Sequence, residues 1–320
     1  MKWGKVKLHL QSIDSLAGYL CVGRDTLFRL SRTSSQYYVR AEKPKDNGEV
    51  REFYKPRGEL KKIQKLIHKK ILLFAPSHEA IHGYRKKRNQ LTAAMPHVKQ
   101  DMLVKADIKA FFPSVEPKQV HDAFMGIGLH HSVADLLTKL CTHANQLPQG
   151  SPASPLIANL LWLRPAHRIQ GVADKHGFGH TISGDDVFLS GKKRAAKYMT
   201  FLKRTIKEEG FTVNDGKTRA VPYNGSQAVV GLSVNQKVNV PKTYRKALRN
   251  EIHRHALSDG DENGRTRQKE RASLVGKIAY VKYFNSFQGG KLKQQLDKKT
   301  AVIKSSPVVQ SIRSQAREPD

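Results

Sequence analysis

Residues 181–190 read TISGDDVFLS, with two adjacent carboxylates, Asp185 and Asp186, after a glycine and between apolar residues. Ser-Gly and Gly-Asp pairs are ordinary turn residues between strands, so the stretch predicts a β-hairpin with both aspartates at its tip. On local grounds a plain turn is the simpler explanation of the two acids. A metal-binding role requires a further carboxylate elsewhere in the chain.

A third carboxylate, Asp107, ends the apolar run LVKAD in a chain where acidic residues are scarce. Two-metal nucleotidyl transfer needs carboxylates from separate strands, because two ions about 4 Å apart share ligands while they hold the attacking and leaving oxygens. Clustered like charges are costly without metal ions. The three aspartates together therefore favour a metal site over a plain turn.

The charge balance points to nucleic acid as the partner. The 320 residues include 57 Lys and Arg against 27 Asp and Glu, a formal net charge of +30. Phosphate backbones are the commonest polyanions that could screen such an excess. The alternative is a basic surface that is merely solvated.

The cysteines and the N-terminus indicate a cytoplasmic location. Cys21 and Cys141 are too few for a disulfide framework or a zinc site of repeated Cys pairs. MKWGKVKLHL lacks the apolar core of a signal peptide, and no apolar run is long enough to span a membrane. We therefore expect a protein without a membrane partner.

The periodicity of apolar residues predicts an α+β fold with a helical region at the C-terminus. We expect two short helices in 12–31, a hairpin around Asn47-Gly48, an amphipathic helix after Pro56 and a strand that closes at Pro113. Further helices are predicted in 120–129, 133–144, 151–171 and 194–209, and further strands around 211–214, 228–234 and 237–240. After Pro241 the chain reads as basic helices, followed by a polar tail from about Ser305.

Eight segments in order resemble the motifs of a reverse transcriptase, most closely a bacterial retron-type enzyme. They are VREFYKP, RGELKKIQ, AAMPHV, DIKAFFPSV, LPQGSPASPLIANL, GDDVFLS, EEGFTVNDGKTR and VVGLSV. The resemblance implies a right-hand polymerase with fingers, a palm of antiparallel sheet plus helices, and a helical thumb. The expected divisions are an N-terminal helical segment at 1–35, fingers and palm at 36–240, and a basic thumb and tail at 241–320, with no room for an RNase H domain.

The resemblance also implies roles for individual residues. Asp107, Ile108, Asp185 and Asp186 would bind two Mg²⁺ ions, for which Mn²⁺ could substitute. Lys217 would protonate the pyrophosphate leaving group, although it is also one lysine of a very basic chain.

Four further residues would bind the incoming dNTP. Phe112 would be the steric gate against a ribose 2′-OH, or plain core. Gln149 and Gly150 would lie under the nucleotide, where glycine lets the backbone approach. Arg51 would hold the triphosphate, which a bidentate guanidinium suits.

The implied partners are a structured RNA that serves as template and primer, the RNA–DNA hybrid product and dNTPs. The product would be an RNA-linked single-stranded DNA, and the retron resemblance leaves room for an effector protein and a role in anti-phage defence. In the thumb, Leu274, Ile278 and Val281 would pack inward. Aromatic and basic residues would contact nucleic acid or, for the aromatics, fill the thumb's own core: Lys277, Tyr280, Lys282, Tyr283, Lys291 and Lys293.

Three positions depart from the family pattern. The usual Tyr-x-Asp-Asp signature appears as Ser183-Gly184-Asp185-Asp186, the Asn-Ala-x-x-His signature lacks its asparagine at Ala93, and Val-Thr-Gly appears as Val229-Val230-Gly231. Because Gly-Asp-Asp is usual in viral RNA polymerases, an RNA-dependent RNA polymerase is the nearest alternative. An aromatic gate at Phe112 favours dNTPs over that alternative.

Two alternatives come from other classes. His78-Glu79-Ala80-Ile81-His82 fits the H-E-x-x-H pattern of zinc proteases, but Gly83 follows at once and a suitable third ligand is missing. A non-catalytic nucleic-acid-binding protein with a polymerase fold is the other alternative. The presence of all three aspartates argues for activity.

Overall fold

The computed structural model describes residues 10–44, 48, 50–257 and 265–304. The chain divides into two compact units, Met1–Val230 and Gly231–Asp320. The assignment of fingers, palm and thumb to particular residues stays a prediction. Asn47 and the expected polar tail after Ser305 lie outside the described residues.

The first unit combines helices with short strands. Its helices are α1 (Ile13–Leu20), α2 (Arg24–Thr33), α3 (Gly58–Lys70), α4 (Gln90–Ala94), α5 (Phe111–Ser114), α6 (Pro117–Gly126), α7 (His131–Cys141), α8 (Ser154–Leu161), α9 (Leu163–His176) and α10 (Met199–Glu208). Its strands are β1 (Tyr38–Pro44), β2 (Val50–Pro56), β3 (Met102–Asp107), β4 (Gly179–Ser183), β5 (Asp186–Gly191), β6 (Arg219–Pro222) and β7 (Ala228–Val229). The predicted α+β class is confirmed.

The central sheet of this unit is antiparallel, with the strand order β4-β5-β3-β6. Its inner strands are apolar along most of their length. On one face Val104, Ala106, Val187 and Leu189 are fully buried, and on the other face Leu103 and Phe188 are 1% exposed. Side chains on successive residues of a strand point to opposite faces, so this pattern requires cover on both sides of the sheet. The two middle strands therefore form the rigid centre of the unit.

The predicted N-terminal helices and hairpin are both present. Ser12 caps α1 in a reciprocal pair of hydrogen bonds with Ser15, a common way to satisfy the free N–H groups of a first turn. Strands β1 and β2 pair antiparallel from Tyr38 opposite Pro56 to Pro44 opposite Val50. Gly48 between them has a positive φ of 82°, which glycine adopts without steric cost.

The strand predicted to close at Pro113 ends earlier, at Asp107. Ala110 then takes a left-handed conformation and the chain turns into α5, which contains Pro113. The reason is burial of Phe111, whose ring contacts Trp162 and Phe211 at centroid distances of 5.7 and 5.2 Å. A straight strand could not have brought Phe111 to those partners.

The predicted strands at 211–214 and 237–240 are reduced to single bridges, Val213 with Ile108 and Asn239 with Ser233. Phe211 is buried against Phe111 rather than aligned in a ladder. The outer strand β6 was not predicted, because its four residues have no clear alternation of apolar and polar side chains. Pairing with β3 produces it.

The second unit contains β8 (Leu232–Ser233) and the helices α11 (Lys242–Leu257), α12 (Arg265–Phe284) and α13 (Ser286–Lys304). The inward packing predicted for Leu274, Ile278 and Val281 is confirmed, since all three are buried. A Cβ on Gly289 would lie 2.7 Å from the backbone nitrogen of Lys282, so α12 and α13 touch closely there. None of the described helices combines the length and apolar character of a membrane span.

His97, which ends the AAMPH segment, is fully buried beneath the central sheet. Its Nδ1 lies 2.7 Å from Ser190 Oγ, and burial lowers its pKa to about 3. The folded protein thus holds this ring neutral at pH values where the unfolded chain, with a histidine pKa near 6.5, binds a proton. Proton uptake on unfolding makes stability fall as the pH drops below about 6.5.

We expect His97→Gln to weaken the acid sensitivity of the fold. When the pH is lowered from 7.5 to 5, the unfolding free energy of the parent should fall by on the order of 2 kcal/mol, because His97 takes up a proton only in the unfolded chain. The variant should not show this part of the loss, because glutamine does not titrate. Urea unfolding at both pH values measures the difference. Equal pH slopes for the parent and the variant would contradict the assignment.

Candidate active site

The register of the central sheet brings the three predicted aspartates together. Asp107 is the last residue of β3 and lies directly opposite Asp186, the first residue of β5. Asp185 occupies the turn between β4 and β5, and its carbonyl accepts a hydrogen bond of 3.0 Å from Ile108 N–H. All three carboxylates therefore belong to one end of the sheet.

Two lysines offset this cluster of negative charge. Lys105 Nζ lies 2.7 Å from Asp186 Oδ1, and Lys217 Nζ lies 3.7 Å from Asp107 Oδ2. Burial raises the pKa of Asp186 to about 6, and the charges of Asp185 and Asp107 add to the rise while Lys105 opposes it. The site thus concentrates carboxylates where cations are needed to balance them.

The donor set fits divalent metal ions. Asp107 is 2% exposed, and its Oδ1 is buried without a hydrogen-bond partner among the described residues. Carboxylate oxygens are the ligands that Mg²⁺ prefers. In the described part of the chain no three His, Cys, Asp or Glu side chains already converge as a metal site, and Asp186 is instead held by Lys105. Lys105 therefore pairs with the Oδ1 atom of one of the three candidate ligands in the metal-free protein.

The predicted contribution of Ile108 can come only from its backbone. Its side chain is buried, and its N–H is used by Asp185. The carbonyl oxygen is the group left to act as a ligand, and that role stays a prediction.

The turn that carries Asp185 is fixed by residues that the sequence did not single out. Trp162 Nε1–H donates to the Gly184 carbonyl at 2.8 Å, and Asn159 Nδ2–H donates to the Gly83 carbonyl at 2.8 Å. A Cβ on Gly83 would lie 2.9 Å from Gly184 N, so the two backbones are in close contact. A buried asparagine in the apolar stretch PLIANLLW was the available signal.

The HEAIH segment does not form the helix that a zinc protease requires. Ile81 bridges Ile182 in parallel, and Ile182 N–H donates to the Ala80 carbonyl at 2.7 Å. The rings of His78 and His167 meet edge to face with a centroid distance of 4.6 Å, whereas His82 Nδ1 lies 3.0 Å from Thr92 Oγ1. The zinc-protease alternative is wrong, because the segment serves as an extra edge beside β4.

Phe112 lies at the start of α5, half-buried, five residues after Asp107. Its ring contacts those of Phe111 and Tyr84 at centroid distances of 5.8 and 6.3 Å. One side of the ring therefore packs on the core while part of it stays accessible. The gate role of Phe112 stays a prediction.

Gly150 is required for a reason that differs from the expected one. A Cβ at this position would overlap the carbonyl oxygen of Tyr54 and lie 2.8 Å from Lys55 Cγ, both on β2. The glycine thus allows the β1–β2 hairpin to approach the loop that carries Gln149. Arg51 is exposed on the same hairpin, opposite Lys43. The nucleotide-binding roles of these residues stay predictions.

Of the residues predicted to contact nucleic acid in the second unit, some are engaged with neighbouring side chains and others are exposed. Lys277 is half-buried and forms an ion pair of 2.5 Å with Glu251, while Tyr280 packs on Phe284 at 5.1 Å. Tyr283 is 61% exposed. Three predicted lysines are also exposed: Lys282, Lys291 and Lys293.

The sequence of this chain is similar to those of known proteins. A curated relative, the Retron Mx65 reverse transcriptase of Myxococcus xanthus, is 32% identical over 82% of this chain and 64% of its own length. The Retron Ec86 reverse transcriptase of Escherichia coli is 34% identical over 64% of this chain and 65% of its own length. The chain thus spans just under two thirds of the length of these relatives.

A solved structure of a foamy viral protease-reverse transcriptase with double-stranded DNA is also similar, with a TM-score of 0.45 and 14% identity. That match covers 86% of this chain and 42% of the viral chain. The family model described as reverse transcriptase (RNA-dependent DNA polymerase) matches residues 43–245, more than half of the chain and all three aspartates. The chain belongs to the reverse transcriptase family.

Proposed function

We propose that this protein is an RNA-directed DNA polymerase that acts by two-metal nucleotidyl transfer. The observation that carries the proposal is the pairing of Asp107 with Asp186 at the end of the central sheet, with Asp185 in the adjoining turn. Family membership supports the same chemistry. Retention of all three carboxylates favours an active enzyme over a non-catalytic binding protein.

In this proposal, separate residues bind the metal ions and the triphosphate. Asp107, Asp185 and Asp186 would hold two Mg²⁺ ions, or Mn²⁺ in their place. When bound, such ions activate the attacking 3′-hydroxyl and neutralise charge on the transferred phosphate. Arg51 would bind the triphosphate.

The remaining groups position the nucleotide and complete the transfer. Phe112 would occupy the space of a ribose 2′-OH and so favour dNTPs. Gln149 would lie beside the nucleotide on the loop that Gly150 allows to approach β2. Lys217, 62% exposed beside Asp107, can deliver a proton to the leaving pyrophosphate.

Primer extension on an RNA template tests the proposal. We expect the purified protein with Mg²⁺ to extend a DNA or RNA primer with dNTPs into complementary DNA. Extension with rNTPs alone would instead indicate an RNA polymerase. Template binding without any extension would indicate a non-catalytic binding protein.

We expect Lys217→Ala to lower kcat about 10²-fold, the low end of the usual contribution of general acid catalysis. The KM for dNTPs should change much less than kcat, since proton transfer to the leaving group takes place only in the transition state. Lys203→Ala is the matched control, because Lys203 pairs with Asp215 in a comparable surface ion pair of 2.6 Å. Equal loss of kcat in both variants would show that Lys217 acts only as one of many basic residues.

We further propose that the template is one structured RNA, that synthesis starts from a hydroxyl of that RNA in the cytoplasm, and that the product is RNA-linked DNA. The retron names of the curated relatives support this substrate class. The +30 charge supplies affinity but not selectivity, so recognition must use RNA shape and unpaired bases. An effector protein and a defence role would follow from the same assignment.

Nucleic acid that copurifies from the native host tests this second proposal. One dominant RNA joined covalently to a short DNA is the expected result. Free DNA copied from many cellular RNAs would leave a general reverse transcriptase and contradict the retron assignment.

A further inference from the structure

Tyr84 is an aromatic residue beside the turn that carries Asp185, and the mechanism above gives it no role. Its side chain is 50% exposed, and its hydroxyl lies 3.5 Å from the point where a Cβ on Gly184 would stand. Its ring meets that of Phe112 edge to face at a centroid distance of 6.3 Å. Tyr84 thus lies between the catalytic turn and the expected sugar gate.

The backbone of Tyr84 is held in an unfavourable conformation. Its φ is +59°, in the left-handed region that bulky residues rarely adopt. The preceding residues are locked by Asn159, which donates to the Gly83 carbonyl, and by Arg85, which donates to the carbonyls of His78 and Ile81 at 2.7 and 3.1 Å. Strain that the surroundings maintain is typical of positions where function fixes the side chain.

Tyr84 also lines a cavity. The cavity has a volume of about 280 Å³, and its wall includes Ser183, Gly184, Asp185, Arg88 and Gln90. A tyrosine hydroxyl is protonated at neutral pH and can donate a hydrogen bond.

The catalytic turn itself lacks side chains that could shape this space. Ser183 stands where the family signature usually has tyrosine, and the following residue is Gly184, with a φ of +64°. A Cβ on residue 184 would be in van der Waals contact with the Tyr84 hydroxyl. An aromatic side chain from a distant segment thus lies directly beside this turn.

We propose that Tyr84 contacts the incoming nucleotide and, together with Phe112, packs against its sugar, as an aromatic side chain beside the Ser183-Gly184-Asp185-Asp186 turn. The proposal rests on the polymerase function proposed above. Tyr84 would then be a second determinant of sugar selection besides Phe112. Phe112 belongs to α5, whereas Tyr84 lies beside the turn between β4 and β5.

The test is single-nucleotide incorporation by Tyr84→Gly and Tyr84→Phe, with dNTP and with the matching rNTP. Glycine removes the ring yet adopts a φ of +59° freely, so the fold should be retained. For Tyr84→Gly we expect a rise of about tenfold in the KM for dNTP and a loss of about tenfold in selectivity for dNTP over rNTP, with a smaller change in kcat. Tyr84→Phe keeps the ring and should keep most of the selectivity.

Tyr223→Gly provides a control, since Tyr223 is an exposed tyrosine of the same unit. Partial misfolding would lower the active fraction and hence kcat, but it would not change the KM or the sugar selectivity. A Tyr84→Gly enzyme with the parent's KM and selectivity would overturn the inference while leaving the polymerase function intact. A parent protein that makes no DNA would overturn the proposed function, and the inference with it.

Discussion

Asp186→Asn and Asp185→Asn are each expected to reduce DNA synthesis by at least about 10³-fold, which corresponds to roughly 4 kcal/mol of transition-state stabilisation. Asparagine preserves the volume of the side chain but removes the charge that a divalent ion needs. Asp186 lies opposite Asp107 in the sheet register. Both carboxylates would therefore bind the same ions, and loss of one should weaken metal binding at the whole site. Primer extension with saturating Mg²⁺ and dNTPs measures the loss.

The fold and the binding of RNA should survive these substitutions. Burial makes the charged form of Asp186 costly, as its raised pKa shows, so the neutral asparagine should not lower the thermal stability of the metal-free protein by more than a few degrees. RNA affinity comes mainly from the basic surface, which is unchanged. Thermal unfolding and RNA binding at fixed salt verify both points.

Asp101→Asn is the matched control, because Asp101 is exposed just before β3, at the strand end opposite Asp107. It should retain the activity of the parent. Full-length DNA from Asp186→Asn or Asp185→Asn would refute the metal assignment, and equal loss in the control would show that any acid near β3 has the same effect.

Phe112→Val is expected to raise the use of rNTPs relative to dNTPs by about 10²-fold, the discrimination that a hydrophobic pocket typically achieves against an added hydroxyl. Valine shortens the side chain and opens the space for a ribose 2′-OH. Because Phe112 is only half-buried, unfolding free energy should fall by only about 1–2 kcal/mol. The ratio of kcat/KM for rNTP and dNTP gives the first effect, and urea unfolding gives the second.

Phe111→Leu is a control that distinguishes a role of Phe112 in sugar selection from a role in core packing. Phe111 is 3% exposed and packs on Trp162 and Phe211, so leucine should cost stability without a comparable change in sugar selection. If Phe112→Val keeps the parent's preference for dNTPs, Phe112 is core packing and the gate belongs elsewhere.

Local sequence patterns were sufficient for the parts of this protein that neighbouring residues determine. Asn47-Gly48 predicted the β1–β2 hairpin, and Gly184-Asp185 predicted the turn before β5. The scarcity of acids and the apolar run before Asp107 were enough to select three candidate ligands. Each of these features depends on turn residues or strand periodicity within about ten positions.

Tertiary contacts decided the features that local patterns predicted wrongly or missed. Burial of Phe111 ended β3 at Asp107, and pairing with β3 turned residues 219–222 into a strand. The HEAIH segment became an edge of the sheet, and not a zinc-binding helix, because Ile182 offered it backbone partners. These outcomes depend on which distant groups are available for burial or hydrogen bonding.

The residues around the catalytic turn show most directly which features the sequence identified and which depended on tertiary packing. The sequence identified Asp185 and Asp186, but Trp162, Asn159 and Tyr84 reach the turn from segments that lie far away in the chain. Their positions follow from the packing of α8 and of residues 81–84 beside β4. Sequence therefore determined which groups carry the charge, and the tertiary structure decided which groups hold and shape the space around them, because that space exists only once distant segments have packed together.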